Sequence, residues 1–126
     1  MQLLVPISVG ELFDKISILE IKAEELRDAK QLANVMRELT LLDGVRNRAV
    51  PANPELDALY AELQAVNRRL WRIEDDLRQI ERAGLFDDRF VALARSVYRE
   101  NDQRATVKRQ INNITGSELV EEKSYV

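Results

Sequence analysis

Residues 56–80 read LDALYAELQAVNRRLWRIEDDLRQI. Within this run Leu56, Leu59, Leu63, Val66, Leu70, Ile73, Leu77 and Ile80 alternate spacings of three and four. Side chains at those spacings return to one face of an α-helix, so the stretch predicts a single long helix with an unbroken apolar seam. Asn53 is a good N-cap and Pro54 suits the first helical position. At the other end Gly84 can take the left-handed conformation that closes a helix, with Leu85 in the Schellman position after it. A helix over 54–83 is about 45 Å long at 1.5 Å per residue. Its a-like positions are all Leu and its d-like positions are Leu, Val, Ile and Ile. That pattern is more at home in four-helix bundles than in two-stranded zippers. A seam of this length has to be covered by other helices.

The flanking chain supplies them. Asp87 caps a further helix with the same rhythm, ending near Ile114 at the Asn112-Asn113 and Thr115-Gly116 stop signals. The short connection makes 54–83 and 87–114 an antiparallel hairpin. Upstream, the Val50 to Pro54 segment is a clear break. Before it, Asp28 can open a helix carrying Leu32, Val35, Met36, Leu39 and Leu42, which stops at Asp43-Gly44 or continues to Ala49. The first helix spans about 9–27, with Ser8 and Glu11 spaced for a capping box and Ile7 and Leu12 for a staple. Ile18 and Ile21 point away from its main seam, which hints at a second buried face. Met1 to Ile7 is an apolar arm, extended around Pro6. The expected fold is all-α: a four-helix antiparallel bundle, or two helical hairpins of which the second is long and coiled-coil-like. It forms one domain over 1–126, with an extended arm at 1–7 and an acidic tail at 117–126.

Composition narrows the function classes. The 126 residues are 45% hydrophobic and 33% charged, with only four Gly and three Pro, which suits long helices and argues against disorder. Net charge is −3, and residues 54–114 balance 11 basic against 11 acidic side chains. No segment forms the basic field that nucleic-acid binding relies on, so no nucleic-acid partner is expected. The chain has no His and no Cys, which removes imidazole and thiolate catalysis, disulfides and almost every zinc site. Glu11-x-x-Asp14 and Glu25-x-x-Asp28 could offer paired carboxylates to Mg²⁺, but each contains a cap candidate, and no metal or cofactor is expected. Met1 to Val5 lacks the basic start of a signal peptide, and no stretch is long and apolar enough to span a membrane. A cytoplasmic location is expected.

The seam of the last helix, Phe90, Leu93, Val97, Glu100, Arg104, Val107, Ile111 and Ile114, is charged in its middle. Glu100 and Arg104 are four apart and can pair on their own helix. The hairpin register brings Arg104 level with Val66 and Asn67, and Glu100 and Asn101 level with Leu70 and Trp71. A polar layer of Asn67, Glu74, Glu100, Asn101 and Arg104 is therefore expected across the bundle, with Glu20 and Lys108 as further candidates. Charges placed there need partners. The layer fixes helix register, forms a pocket in which Arg104 and Lys108 grip a small anion, or, if the hairpin is wider, faces solvent.

Three blocks, 5–22 (VPISVGELFDKISILEIK), 93–102 (LARSVYREND) and 116–125 (GSELVEEKSY), resemble a family of short bacterial proteins known only as a domain of unknown function. The resemblance implies a shared helical fold and brings no activity or catalytic residue with it. If the three blocks meet in space, the purpose of the family is expected to sit there. The leading functional expectation is a non-catalytic helical interaction protein, a homodimer or other homo-oligomer with a possible protein partner. The alternative is a small all-α enzyme or binding protein for an anionic metabolite. Arg, Lys and Glu alone can preorganise a site of that kind.

Overall fold

The computed structural model describes residues 1–124, so the last two residues of the acidic tail, Tyr125 and Val126, lie outside the described residues. The fold is a four-helix bundle: α1 (Val9–Glu25), α2 (Ala29–Ala49), α3 (Pro54–Ala83) and α4 (Asp88–Thr115). Each helix begins where a short polar side chain satisfies free amides. Ser8 accepts from the Glu11 amide, Asp28 from Gln31, Asn53 from Glu55, and Asp87 from Arg89 and Phe90. Gly84 and Gly116 end α3 and α4 at φ 70° and 65°, in the left-handed region that costs glycine least. The Leu85 amide then closes on the Ile80 carbonyl at 3.1 Å, completing the Schellman turn.

The structure departs from the local signals at two helix ends and decides between the two stops open for α2. Helix α1 stops at Glu25 rather than near residue 27, because Leu26 is already extended to lead into the Asp28 cap. Helix α2 passes through Asp43-Gly44 to Ala49, and an Arg46–Asp43 ion pair of 2.8 Å spans that point. The capping box is only half made. Ser8 Oγ accepts from the Glu11 amide at 3.0 Å, while the Glu11 carboxylate turns across the bundle to Lys108.

Helix α1, not the long α3, is the hub. It packs against all three other helices, and α2 approaches only α1 closely along its backbone. The core joins Leu12, Phe13, Ile16 and Leu19 of α1 to Val35 and Leu39 of α2, Leu56 and Leu63 of α3, and Val107 and Ile111 of α4. Burying each such side chain fully contributes roughly 1.5–3 kcal/mol, so this end of the bundle carries the stability. Helix α1 has 17 residues and α3 has 30, about 26 Å against about 45 Å, so the α3–α4 hairpin outruns its cover. Beyond Trp71 the seam residues Ile73, Leu77, Leu93 and Val97 are only half-buried, although Ile80 near the tip is buried within the hairpin. Leu85, Phe86, Val91 and Tyr98 are exposed there.

Candidate functional site

Helix α1 buries a second face. Gly10, Asp14, Ser17 and Ile21 are all buried, and their spacings of four, three and four place them on one side of the helix. This face lies against α3 and α4. Gly10 sets the distance: a Cβ there would stand 2.6 Å from the Lys108 carbonyl oxygen, so any larger residue would push the helices apart. The Gly10 amide uses the close approach to donate to Asn112 Oδ1 at 2.7 Å.

One turn further along, Asp14 is only 1% exposed. A carboxylate buried so deeply has to be paired, and two helices converge on it. Arg104 donates Nε to Asp14 Oδ1 at 2.9 Å and to Oδ2 at 3.1 Å, and its Nη2 also binds Oδ2. Asn67 Nδ2 donates to Asp14 Oδ1 at 2.9 Å and to Ser17 Oγ at 3.0 Å. Ser17 in turn donates to Gln64 Oε1, and Gln64 Nε2 donates to Glu20 Oε2 at 3.0 Å. A line of hydrogen bonds thus runs from Arg104 to Glu20 through side chains of α1 and α3.

Lys108 stands beside this line. Its Nζ is 2.8 Å from Glu11 Oε2, 3.3 Å from Glu121 Oε2 and 3.7 Å from Asp14 Oδ2. Burial works against its charge, but the hydrogen bond to Glu11 and the fields of Asp14, Glu11 and Glu121 outweigh that, and its pKa is raised. The hydrogen bond to Asp14 likewise raises Arg104, against partial desolvation. Near the Glu20 end, burial first and the Glu20 carboxylate second push the Tyr60 phenol well above its ordinary range.

The residues expected to form a polar layer divide. Asn67, Arg104 and Lys108 meet at Asp14, and Asn101 Oδ1 accepts a long 3.4 Å bond from Arg104 Nη1. Glu20 is one step removed, reached through Gln64. Glu100 does not pair with Arg104: it accepts from Arg69 Nε of α3 at 2.9 Å, because the buried Asp14 has taken the guanidinium. Glu74 also stands outside the layer. It is exposed, at the rim of a hollow of about 210 Å³ that Lys22, Trp71 and Arg104 also line.

Asp14, Ser17 and Gln64 went unread in the sequence as members of this layer. The available signal was the four–three–four spacing of 10, 14, 17 and 21, visible only if a charged residue is allowed inside a seam. Glu11 and Asp14, weighed as Mg²⁺ ligands, are instead engaged by Lys108 and Arg104, and Asp28 caps α2.

The tail closes over the same place. Ser117 Oγ accepts from the Val9 amide at 3.2 Å, Glu121 reaches Lys108, and Lys123 pairs with Asp102 at 2.7 Å. Asn101, Arg104, Lys108, Glu121 and Lys123 border an open hollow of about 320 Å³. The start of α1, the stretch of α4 from Asn101 to Lys108 and the tail therefore meet at one site, and the three stretches whose wording resembles a known family all reach it, the α4 stretch through Asn101 and Asp102. DUF6165, a family of unknown function, matches residues 3–126. The chain belongs to this family. No curated protein and no solved structure matches it. The DUF6165 match takes in every residue of the Asp14 cluster and the tail segment that covers it. Among the described residues of this DUF6165 chain, no helix is long and apolar enough to cross a membrane.

Within the cluster, each cation has a carboxylate of its own chain. Arg104 is held by Asp14, Lys108 by Glu11, Asp14 and Glu121, and Lys123 by Asp102. These contacts join α1, α3, α4 and the tail at one place.

Proposed function

We propose that the protein is a non-catalytic helical interaction protein that assembles as a homodimer in the cytoplasm. The observation that carries this reading is the uncovered end of the α3–α4 hairpin. Ile73, Leu77, Leu93 and Val97 are half-buried there, and Leu85, Phe86, Val91 and Tyr98 face solvent. A two-helix stretch with an apolar seam gains stability by meeting a second such stretch, and a two-fold axis supplies it in the same chain. Fully burying one large apolar side chain gains roughly 1.5–3 kcal/mol, and the four exposed ones are about half covered already. Two copies together therefore gain roughly 6–12 kcal/mol, comparable with the roughly 4–15 kcal/mol that association costs. The hairpin tip thus supports the reading of a dimer of modest affinity. The cytoplasmic part of the reading rests on the lack of cysteine, which suits a reducing compartment. Light scattering on the full chain at tens of micromolar should give a dimer mass, and a strict monomer would refute the reading.

A second reading, a pocket for a small anionic metabolite, has one observation behind it. Glu121 already presents a carboxylate to Lys108 at 3.3 Å, at the edge of the hollow beside Arg104. A free anion could replace that carboxylate. A thermal-shift panel of sugar phosphates, nucleotides and organic acids, run on the natural chain and on Glu121→Gln, tests it. Stabilisation that is larger in Glu121→Gln supports the pocket, and no shift in either protein ends it.

A further inference from the structure

The half of α4 that α1 does not reach carries a second periodic face. Asp87, Val91, Ala94 and Tyr98 are exposed, and their spacings of four, three and four put them on one side of the chain's last helix. This side is distinct from the seam of Phe90, Leu93 and Val97, which is half-buried against α3. Val91 is 43% and Tyr98 55% exposed. Asp88 and Arg95 follow Asp87 and Ala94 by one residue each, so both lie along the same edge of the face. Both are exposed. Among the described residues, the ion pairs of α4 involve Glu100 and positions beyond it, and neither Asp88 nor Arg95. Cover begins further along: Asn101 lines a hollow with Ile18 and Ile21 of α1, and Arg104 is bound to Asp14.

We propose that this face of α4 pairs antiparallel with the same face of a second copy, about a two-fold axis midway between Val91 and Ala94. The inference rests on the homodimer reading above and adds the helix, the direction and the register of the contact. The four positions of the face are self-complementary under that axis. Val91 comes level with Ala94 of the second copy, a large side chain on a small one, and Asp87 comes level with Tyr98, whose phenol can donate to the carboxylate. The edge charges are complementary too. Asp88 of one chain and Arg95 of the other fall within about 3 Å of each other along the axis, and the two-fold makes that opposite-charge pair twice. Charges flanking an apolar stripe in this way set the partner and orientation of paired helices. The available length agrees with the register. Residue 85 of one chain comes level with residue 100 of the other, so the overlap ends where α1 begins to cover α4 at Asn101. A register one heptad nearer the C-terminus would drive the second copy into α1.

Charge reversal tests the register and leaves the apolar positions untouched. Asp88→Arg and Arg95→Glu are compared with the natural full chain by sedimentation velocity over a dilution series, and far-UV circular dichroism checks that each keeps its helix content. Either change alone sets like charges together twice and weakens the dimer by about tenfold or more. An equimolar mixture of the two proteins rebuilds one Arg–Glu and one Arg–Asp pair in a heterodimer. The Asp88→Arg/Arg95→Glu double variant rebuilds two Arg–Glu pairs in a homodimer. Each recovers the natural dissociation constant to within about threefold. Both single variants remain net negative, so attraction between whole molecules does not produce the recovery. Single variants that dimerise as the natural chain does overturn the proposal and leave a hairpin dimer formed through another face. Weakening without recovery in the mixture and in the double variant overturns the antiparallel register. A natural chain that stays monomeric throughout overturns the homodimer reading as well.

Discussion

Replacing Arg104 by Met isolates what the Asp14 cluster does. The substitution keeps an unbranched apolar stem and removes the guanidinium. Asp14, 1% exposed, then loses every Arg104 bond and keeps only the Asn67 amide at 2.9 Å and the Lys108 ammonium at 3.7 Å. Breaking one side of a buried ion pair costs about 3–5 kcal/mol, because the remaining charge is uncompensated. Two features pull the value to the lower end. Arg104 itself is 28% exposed, so part of its field is already screened, and Lys108 is near enough to move closer to the carboxylate. A loss of about 3 kcal/mol is expected, a large share of the roughly 5–15 kcal/mol by which a folded domain exceeds its unfolded state. The Asp14→Asn/Arg104→Met pair removes both charges. It should lose less than the sum of the two single changes, by about 1 kcal/mol or more. Urea unfolding followed by far-UV circular dichroism at neutral pH measures both, with an unchanged slope showing that the same surface is exposed. An Arg104→Met protein within about 0.5 kcal/mol of the natural chain would refute the account, since a surface substitution costs no more.

Other substitutions and conditions probe the neighbouring contacts. Gly10→Ala puts a methyl group 2.6 Å from the Lys108 carbonyl oxygen, a backbone atom with little freedom to move. It should cost about 1–3 kcal/mol by forcing α1 from α4, read as a lowered melting temperature. Glu121→Gln removes one of three carboxylates around Lys108, and because Glu121 is part-exposed the global cost should stay below about 1 kcal/mol. Its effect should instead be local, as faster amide exchange over residues 117–124, and unchanged exchange there would show that Glu121 does not hold the tail. Alkaline pH should destabilise the fold. Lys108 and Tyr60 are both raised from ordinary values of 10.5 and 10.0, so their contributions are complete below those values and are lost as pH rises through the raised ones. Tyr60→Phe and Lys108→Met should each flatten the fall in stability above about pH 10, measured by denaturant titration across that range.

The hairpin register was legible in advance because it follows from one short turn and two regular helices. Arg104 does come level with Asn67, and both reach the same carboxylate. The identity of that carboxylate was not legible. Glu100 is four residues from Arg104 and was the local choice, yet it pairs with Arg69 instead. Asp14 sits 90 positions away in the chain and looks, within its own helix, like an ordinary polar residue beside a cap.

By itself the sequence determined where the helices are. Periodicity, Ser8, Asp28, Asn53 and Asp87 as caps, and Gly84 and Gly116 as stops are properties of neighbouring residues, and backbone hydrogen bonding responds to them locally. Only the tertiary structure decided that α1 is the hub, that its second face is polar and buried, and that the tail reaches Lys108. The reason is physical. A helix carries its own hydrogen bonds but not the partner of a charge on its surface, and that partner is chosen by which helices come within reach once the apolar faces have packed.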